Sequence, residues 1–266
     1  MNTFQITPSL RTAFRKIGTD IRIVPAPSRA RGWRAGPVSP VRIQVLDDAF
    51  GLTLPSDGVA SVLDCRQDER HLLLSVRAPR ANVEHFLCGF DERHWFAAAV
   101  AASSSVVAAK ESLIPVAVRQ AIERVGLRHT HRYRRHTNAF VRQGEWFFVP
   151  TDVTVNPLSI HRKEPLVRPG GGKPHIVDEL ARGAGEMVWH HARYASDGVS
   201  DARYAALPES VRTAKGWSRR LRVAREGTVL VRGAIRHPDH GTIHLHTWHR
   251  VYINNEQRPA SLGFLD

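Results

Sequence analysis

Alternating apolar and polar residues along 41–46, a short apolar stretch at 51–54 and an unbroken one at 72–76 are the first regular pattern in this chain. Alternation with period two marks a strand with one wet face, and a short unbroken run marks a strand covered on both faces. Further runs at 85–90 and 94–100 flank Asp91, Glu92 and Arg93, which read as a tight hairpin turn. Strands linked this closely predict an antiparallel meander. Between 106 and 141 the spacing becomes helical: Val118, Ile122 and Val125 recur after Pro115, and Gly126 supplies a stop. A second helix is predicted over 128–142, followed by a strand at 144–150 that ends on its proline.

In 1–40, seven basic side chains (Arg11, Arg15, Lys16, Arg22, Arg29, Arg31, Arg34) face only Asp20, and prolines and glycines fill the second half. This reads as a basic N-terminal arm with a short helix near 3–16 and a short strand at 20–24. The Pro- and Gly-rich stretch 151–172 predicts a linker or long loop. Beyond it, Pro174 at a first helical position and Gly183 past the last one predict a helix over 174–182. A strand at 186–191, one or two helices within 197–225 and a closing β-hairpin complete the chain. The class is therefore α+β: an antiparallel β-meander with helices in a β-rich domain over 41–150, then a smaller α+β domain over 173–266 that ends in a histidine-rich β-hairpin.

With 266 residues, 42% hydrophobic and 24% charged, the chain can bury a sizeable core, which excludes wholesale disorder. No apolar run approaches the roughly 18 residues of a membrane span, and the stretch 96–109 is broken by serines. The first residues lack a basic segment followed by an apolar one, so the expectation is a cytoplasmic protein with no membrane partner. Two cysteines, Cys65 and Cys88, with no CxxC spacing exclude a disulfide framework and read as reduced core residues. The formal net charge of +13, from 38 Lys and Arg against 25 Asp and Glu, points to a polyanionic partner.

The densest chemistry lies in 229–253, where five histidines and an aspartate surround one predicted hairpin. A four-residue turn at 238–241 places His237 opposite Thr242 and Gly233 opposite His246, with His244, His246, Trp248 and Arg250 on one face and His249 on the other. His244 and His246 form an i, i+2 pair of the kind strand-borne metal sites use, with His237 near the turn, so His237, His244 and His246 are the candidate metal ligands. His240, His244 and His246 are the candidate acid–base residues, because imidazole titrates near neutrality. The implied cofactor is a divalent metal ion.

Arg128, Arg132, Arg135 and Arg142 fall on one face of the helix predicted over 128–142, at a spacing that suits successive phosphates. The stretch Arg168-Pro-Gly-Gly-Gly-Lys-Pro-His175 resembles a phosphate cradle with Lys173 as its cation, although Pro174 stands where a Walker motif needs Ser or Thr. Arg219 and Arg220 follow Trp217, an arrangement suited to stacking on bases. The leading expectation is thus a soluble protein that binds nucleic acid, RNA or single strands, through these cations. The alternatives are a histidine-based, metal-dependent hydrolase or phosphotransferase, and an assembly protein with an acidic protein partner.

Overall fold

The apolar run at 72–76 is a central strand with both faces covered, and the first half of the fold grows outward from it. The computed structural model describes residues 8–24, 41–55, 57–79, 82–153, 155–168, 173–182, 186–199, 201–222 and 229–256, with backbone alone at 8, 186–188, 196–197, 201–202 and 220–222. Helix α1 (Pro8–Ile17) buries Leu10, Phe14 and Ile17 at helical spacing and turns Arg11 and Arg15 toward Asp20. Strands β1 (Asp20–Ile23), β2 (Arg42–Val45) and β3 (Ala49–Thr53) form a small mixed sheet in which β3 is central. The first part of the expected basic arm is thus built into the core; residues 25–40 lie outside the described residues.

An antiparallel meander does form, from β4 (Val59–Arg66), β5 (His71–Arg77), β6 (Val83–Asp91) and β7 (His94–Val100) in that order. The strands expected in it at 41–46 and 51–54 belong instead to the small mixed sheet, and β4 is a strand the hydrophobic pattern did not mark. Leu72, Leu74 and Val76 of β5 face α1 and the small sheet, while Leu73 and Leu87 face the next helix, which explains the unbroken apolar text of β5. That helix is α2 (Val106–Leu113), whose Ser105 side chain accepts the Ala108 amide as an N-cap. It is followed by α3 (Val116–Arg124), which stops at Gly126 with φ 61°, as its sequence predicts.

The helix expected over 128–142 does not form. Only a single 3-10 turn, His129–His131, is helical there. The Thr137 hydroxyl accepts the amides of Ala139 and Phe140, a local bond that competes with helix, and just Ala139 and Phe140 of this stretch are buried. The chain then enters β8 (Val141–Gln143) and β9 (Trp146–Pro150).

Residues 151–172, expected as a linker, contain β10 (Ile160–Leu166), and the helix expected over 174–182 is β11 (His175–Arg182). Pro174 and Gly183 supply the boundary signals for a helix, but 175–182 is extended and paired on both sides. Between the pairs Val177–Ile235 and Glu179–Arg232, the partner strand Val229–His237 advances three residues while β11 advances two, so the bulge lies on that partner. Within the bulge Gly233 has φ 89°, and a Cβ there would stand 2.7 Å from Asp178 Cβ. Beyond lie β12 (Glu186–His191), β13 (Ala195–Val199), α4 (Asp201–Ala205), α5 (Glu209–Arg212) and β14 (Ser218–Arg222), then the hairpin of β15 (Val229–His237) and β16 (His240–Ile253).

Strands β12, β13 and β14 make a separate three-stranded sheet, whereas β10-β11-β15-β16-β9-β8 is a six-stranded antiparallel sheet. The larger sheet draws strands from both sides of 151–172 and from within it. One face buries Phe148, Val177, Val231, Ile235 and Val251; Phe147 and Val149 pack from the other face against α3. The described chain is mostly β, with several sheets and few helices, and is α+β-like in that coarse sense. None of its described helices is long and apolar enough to cross a membrane.

Phe148 is fully buried in the apolar core of the larger sheet. Phe148→Ala is expected to cost about 3–5 kcal/mol of stability, the range for an aromatic deleted from a packed core, measured by urea unfolding. A loss below about 1 kcal/mol would place this residue outside a packed core.

Candidate active site

Three tight turns meet at one end of the larger sheet. The histidine hairpin turns through two residues, Pro238 and Asp239, so His237 pairs with His240 and Gly233 with Leu245. This corrects the predicted four-residue turn. Between the pairs Ile235–Ile243 and His237–His240, β16 advances three residues while β15 advances two. The extra residue moves His240 off the face that carries His244 and His246. Those two side chains are exposed, away from buried Ile243 and Leu245. The predicted metal set His237, His244, His246 is therefore split, as is the predicted acid–base set of His240, His244 and His246.

A different partner joins His237 and His240. His175, at the start of β11, is 1% exposed and stacks on His237 with ring centroids 4.2 Å apart, while His240 lies 5.9 Å away on nearly parallel planes. One ligand atom from each ring can be chosen so that all three lie within 4.8 Å of one another. Burial, reinforced by the neighbouring imidazoles, pushes the His175 pKa down to about 3 and lowers that of His237, which keeps both rings neutral near pH 7. Sequence reasoning missed His175 because it took that residue for part of a helix.

Neither ring nitrogen of His175 has a hydrogen-bond partner, and the same holds for His240 Nδ1 and Trp146 Nε1. Four of the six unpartnered buried polar atoms among the described residues thus sit on three side chains in and beside this cluster. His237 differs: its Nδ1 accepts the Asp239 amide at 3.1 Å, and its Nε2 donates to the Lys173 carbonyl at 3.2 Å.

The other two turns hold the cluster in place. Gly144 and Glu145 connect β8 to β9, and Gly144 has φ 56°. A Cβ on Gly144 would stand 2.8 Å from His240 Nε2, so the glycine is what lets that ring lie against the turn. Glu92, in the β6–β7 turn, has φ 55°, an uncommon conformation for a side-chain-bearing residue. Its carboxylate accepts the Gly241 amide at 3.0 Å, pairs with Arg135 at 2.5 Å, and lies 3.3 Å from His240 Nδ1, without the alignment of a hydrogen bond. Gln143, fully buried, donates to the Gly241 carbonyl at 2.6 Å.

The cluster borders a cavity of about 540 Å³ between the meander, α2, the 129–135 segment and the larger sheet. Its aromatic and aliphatic lining includes Trp95, Phe96, Leu113 and Phe147; its polar lining includes His71, His94, His237, His240 and several ion pairs. Here lie most of the cations that the sequence assigned to phosphate contacts. Arg132 lies 3.8 Å from Glu111, Arg135 pairs with Asp91 and Glu92, Arg142 with Asp91, and Lys173 with Asp239. Arg128 is exposed outside the cavity, Arg219 sits on β14 above Trp189, and the Arg220 side chain lies outside the described residues. No helical face gathers these arginines, and no helix follows Lys173.

Burial opposes ionisation of Asp91, but Arg142 and Arg135 outweigh it and hold the carboxyl below its usual range. Burial likewise opposes ionisation of Asp239, and Lys173 and His94 outweigh it. Compared with known proteins, the chain matches no family model, no curated protein and no solved structure.

Asp91→Ala leaves two half-buried guanidinium groups short of a partner and is expected to cost on the order of 2 kcal/mol, less than the loss of a fully buried partner, in urea unfolding. Burial, with help from Lys110, pushes the His71 pKa from 6.5 down to about 4. The unfolded chain binds that proton more readily, so this contribution to stability is present above pH 6.5 and is lost as the pH falls toward 4. His71→Gln is expected to make the slope of unfolding free energy shallower over that window; an unchanged slope would refute the assignment.

Proposed function

We propose that this chain is a metal-dependent hydrolase whose ion is held by His175, His237 and His240 on the wall of the cavity. The observation that carries the reading is the buried His175 imidazole with both nitrogens unpartnered, stacked among rings whose donor atoms converge. Each unpartnered buried polar atom costs roughly 1–3 kcal/mol, and a cation bound to the one lone pair of the His175 imidazole removes the penalty for that nitrogen. Three imidazoles with cavity on the remaining side match the pattern of catalytic zinc, which keeps one position for water. When bound, the ion would acidify that water toward neutral pH and make it a nucleophile.

The surroundings agree with this role. The Lys173 carbonyl holds His237 Nε2 as the protonated nitrogen, leaving the Nδ1 lone pair, now on the Asp239 amide, for the ion. Glu92 faces the Nδ1 side of His240 and suits a ligand bond through Nε2. Asp239 and His94, 3.5 Å apart at the cavity wall, are placed to move protons.

Protein expressed without a tag and dialysed against zinc should hold one ion per chain by plasma mass spectrometry and release p-nitrophenol from acetate or phosphate esters. His240→Ala should lose both properties while keeping its circular dichroism, and Glu92→Gln should weaken zinc binding about 10–100-fold. The double variant His244→Ala, His246→Ala should keep its zinc. Failure of the parent protein to retain zinc would end this reading.

A second reading, binding of single-stranded nucleic acid, retains one supporting feature. Beside the sheet of β12, β13 and β14, Trp189 of β12 stacks on Tyr204 of α4 at 4.2 Å, and the guanidinium of Arg219 lies 5.5 Å from the Trp189 ring.

A further inference from the structure

We propose that the cavity takes a small organic phosphate monoester, its phosphoryl group at the histidine end and its apolar body along the opposite wall. The inference rests on the metal reading and follows from charge. At the histidine end the carboxylates of Asp91, Glu92, Glu145 and Asp239 face the cations of Arg135, Arg142 and Lys173, four against three, so a divalent ion on the three imidazoles leaves a net positive charge there. A phosphate monoester offsets it with an anion whose three non-bridging oxygens can meet the ion and both neighbouring cations, where a carboxylate has two.

The donors suit that group. Arg142 is held by Asp91 and by the Gly144 carbonyl, next to the turn that abuts His240, and its remaining N–H groups form a fork for phosphate oxygens. Lys173, paired with Asp239 beside His237, adds an exposed ammonium. Phe96, Leu113 and Phe147 offer an apolar surface to the alcohol portion. In the reaction, the oxygen of water forms a new bond to phosphorus and the ester P–O bond breaks. One proton of that water leaves with the alcohol, so inorganic phosphate and the alcohol are the products and no redox partner is needed.

The test is calorimetric titration of the zinc-loaded protein with inorganic phosphate and, separately, with acetate. Phosphate should bind at least about tenfold more tightly than acetate, and Lys173→Met and Arg142→Lys should each weaken phosphate by about tenfold without changing zinc content. Zinc retained with no preference for phosphate, or with phosphate binding indifferent to both substitutions, would overturn this inference and leave the metal reading standing. Loss of zinc from the parent protein would overturn both. Lys173 lies at an exposed position, so that arm remains informative even if Arg142→Lys fails to fold.

Discussion

Carboxylates on one tight turn hold the two halves of this molecule at a fixed separation, and the cavity is the space that this separation leaves. Asp91 and Glu92 end the β6–β7 hairpin of the meander, yet their partners, Arg135, Arg142, His240 and the Gly241 amide, belong to the following segment and to the larger sheet. The meander and the larger sheet have separate apolar cores, so hydrophobic burial alone does not fix their relative placement. Directional, charge-assisted bonds can, because they demand particular distances and angles. That Glu92 keeps a positive φ is consistent with such a demand. A conformation costing on the order of 1 kcal/mol persists where several contacts over-determine it.

The same pairing explains why a charge of +13 does not gather around the cavity. A cation taken partly out of water is costly unless an anion comes with it. Lys110 is met by Glu69, Arg168 by Glu256 and Lys173 by Asp239, and the arginines around Asp91 and Glu92 are matched in number. A formal surplus read from composition therefore says little about any particular concavity, because partial burial selects local neutrality.

This sets what the sequence could disclose. Three strands of the meander and the β6–β7 turn were legible in the runs at 72–76, 85–90 and 94–100, but β4 was not. The strands at 41–46 and 51–54 pair in another sheet, because sequence pattern does not name a strand's partner. The helices at 106–124 were legible through Pro115 and Gly126. The histidine hairpin was visible as an element, but its register was not. A bulge shifts by one residue the parity on which face assignment rests, and no residue type announces it. The strand at 175–182 was hidden for another reason: Pro174 and Gly183 are helix-boundary residues, and only its long-range partners in β10 and β15 make it extended, which concealed His175. The arginines at 128–142 show the converse problem: their spacing fits a helix, but tertiary ion pairs and the Thr137 turn settle the backbone instead. Periodicity reports local geometry well and fails where long-range partners decide the path of the chain.

The histidine cluster follows from this in a way that core packing does not require. Other buried groups of the cavity, such as Asp91 and Glu92, have found partners across sheets, so the fold is able to satisfy them, although Arg132 Nε and Gln143 Oε1 also lack one. At His175, His240 and Trp146 it has not, and the unpartnered atoms are concentrated there. A random lapse in packing would spread such atoms about, and replacement of His175 by an apolar residue of similar volume would remove two of them at little cost. Their retention beside a cavity, among rings kept neutral by burial, is understandable if the missing partner comes from outside the chain. An electron-pair acceptor is what the one lone pair of a neutral His175 lacks, while its N–H and that of Trp146 are donors and lack an acceptor instead. The stability surrendered in the free protein then becomes binding free energy when the ion arrives.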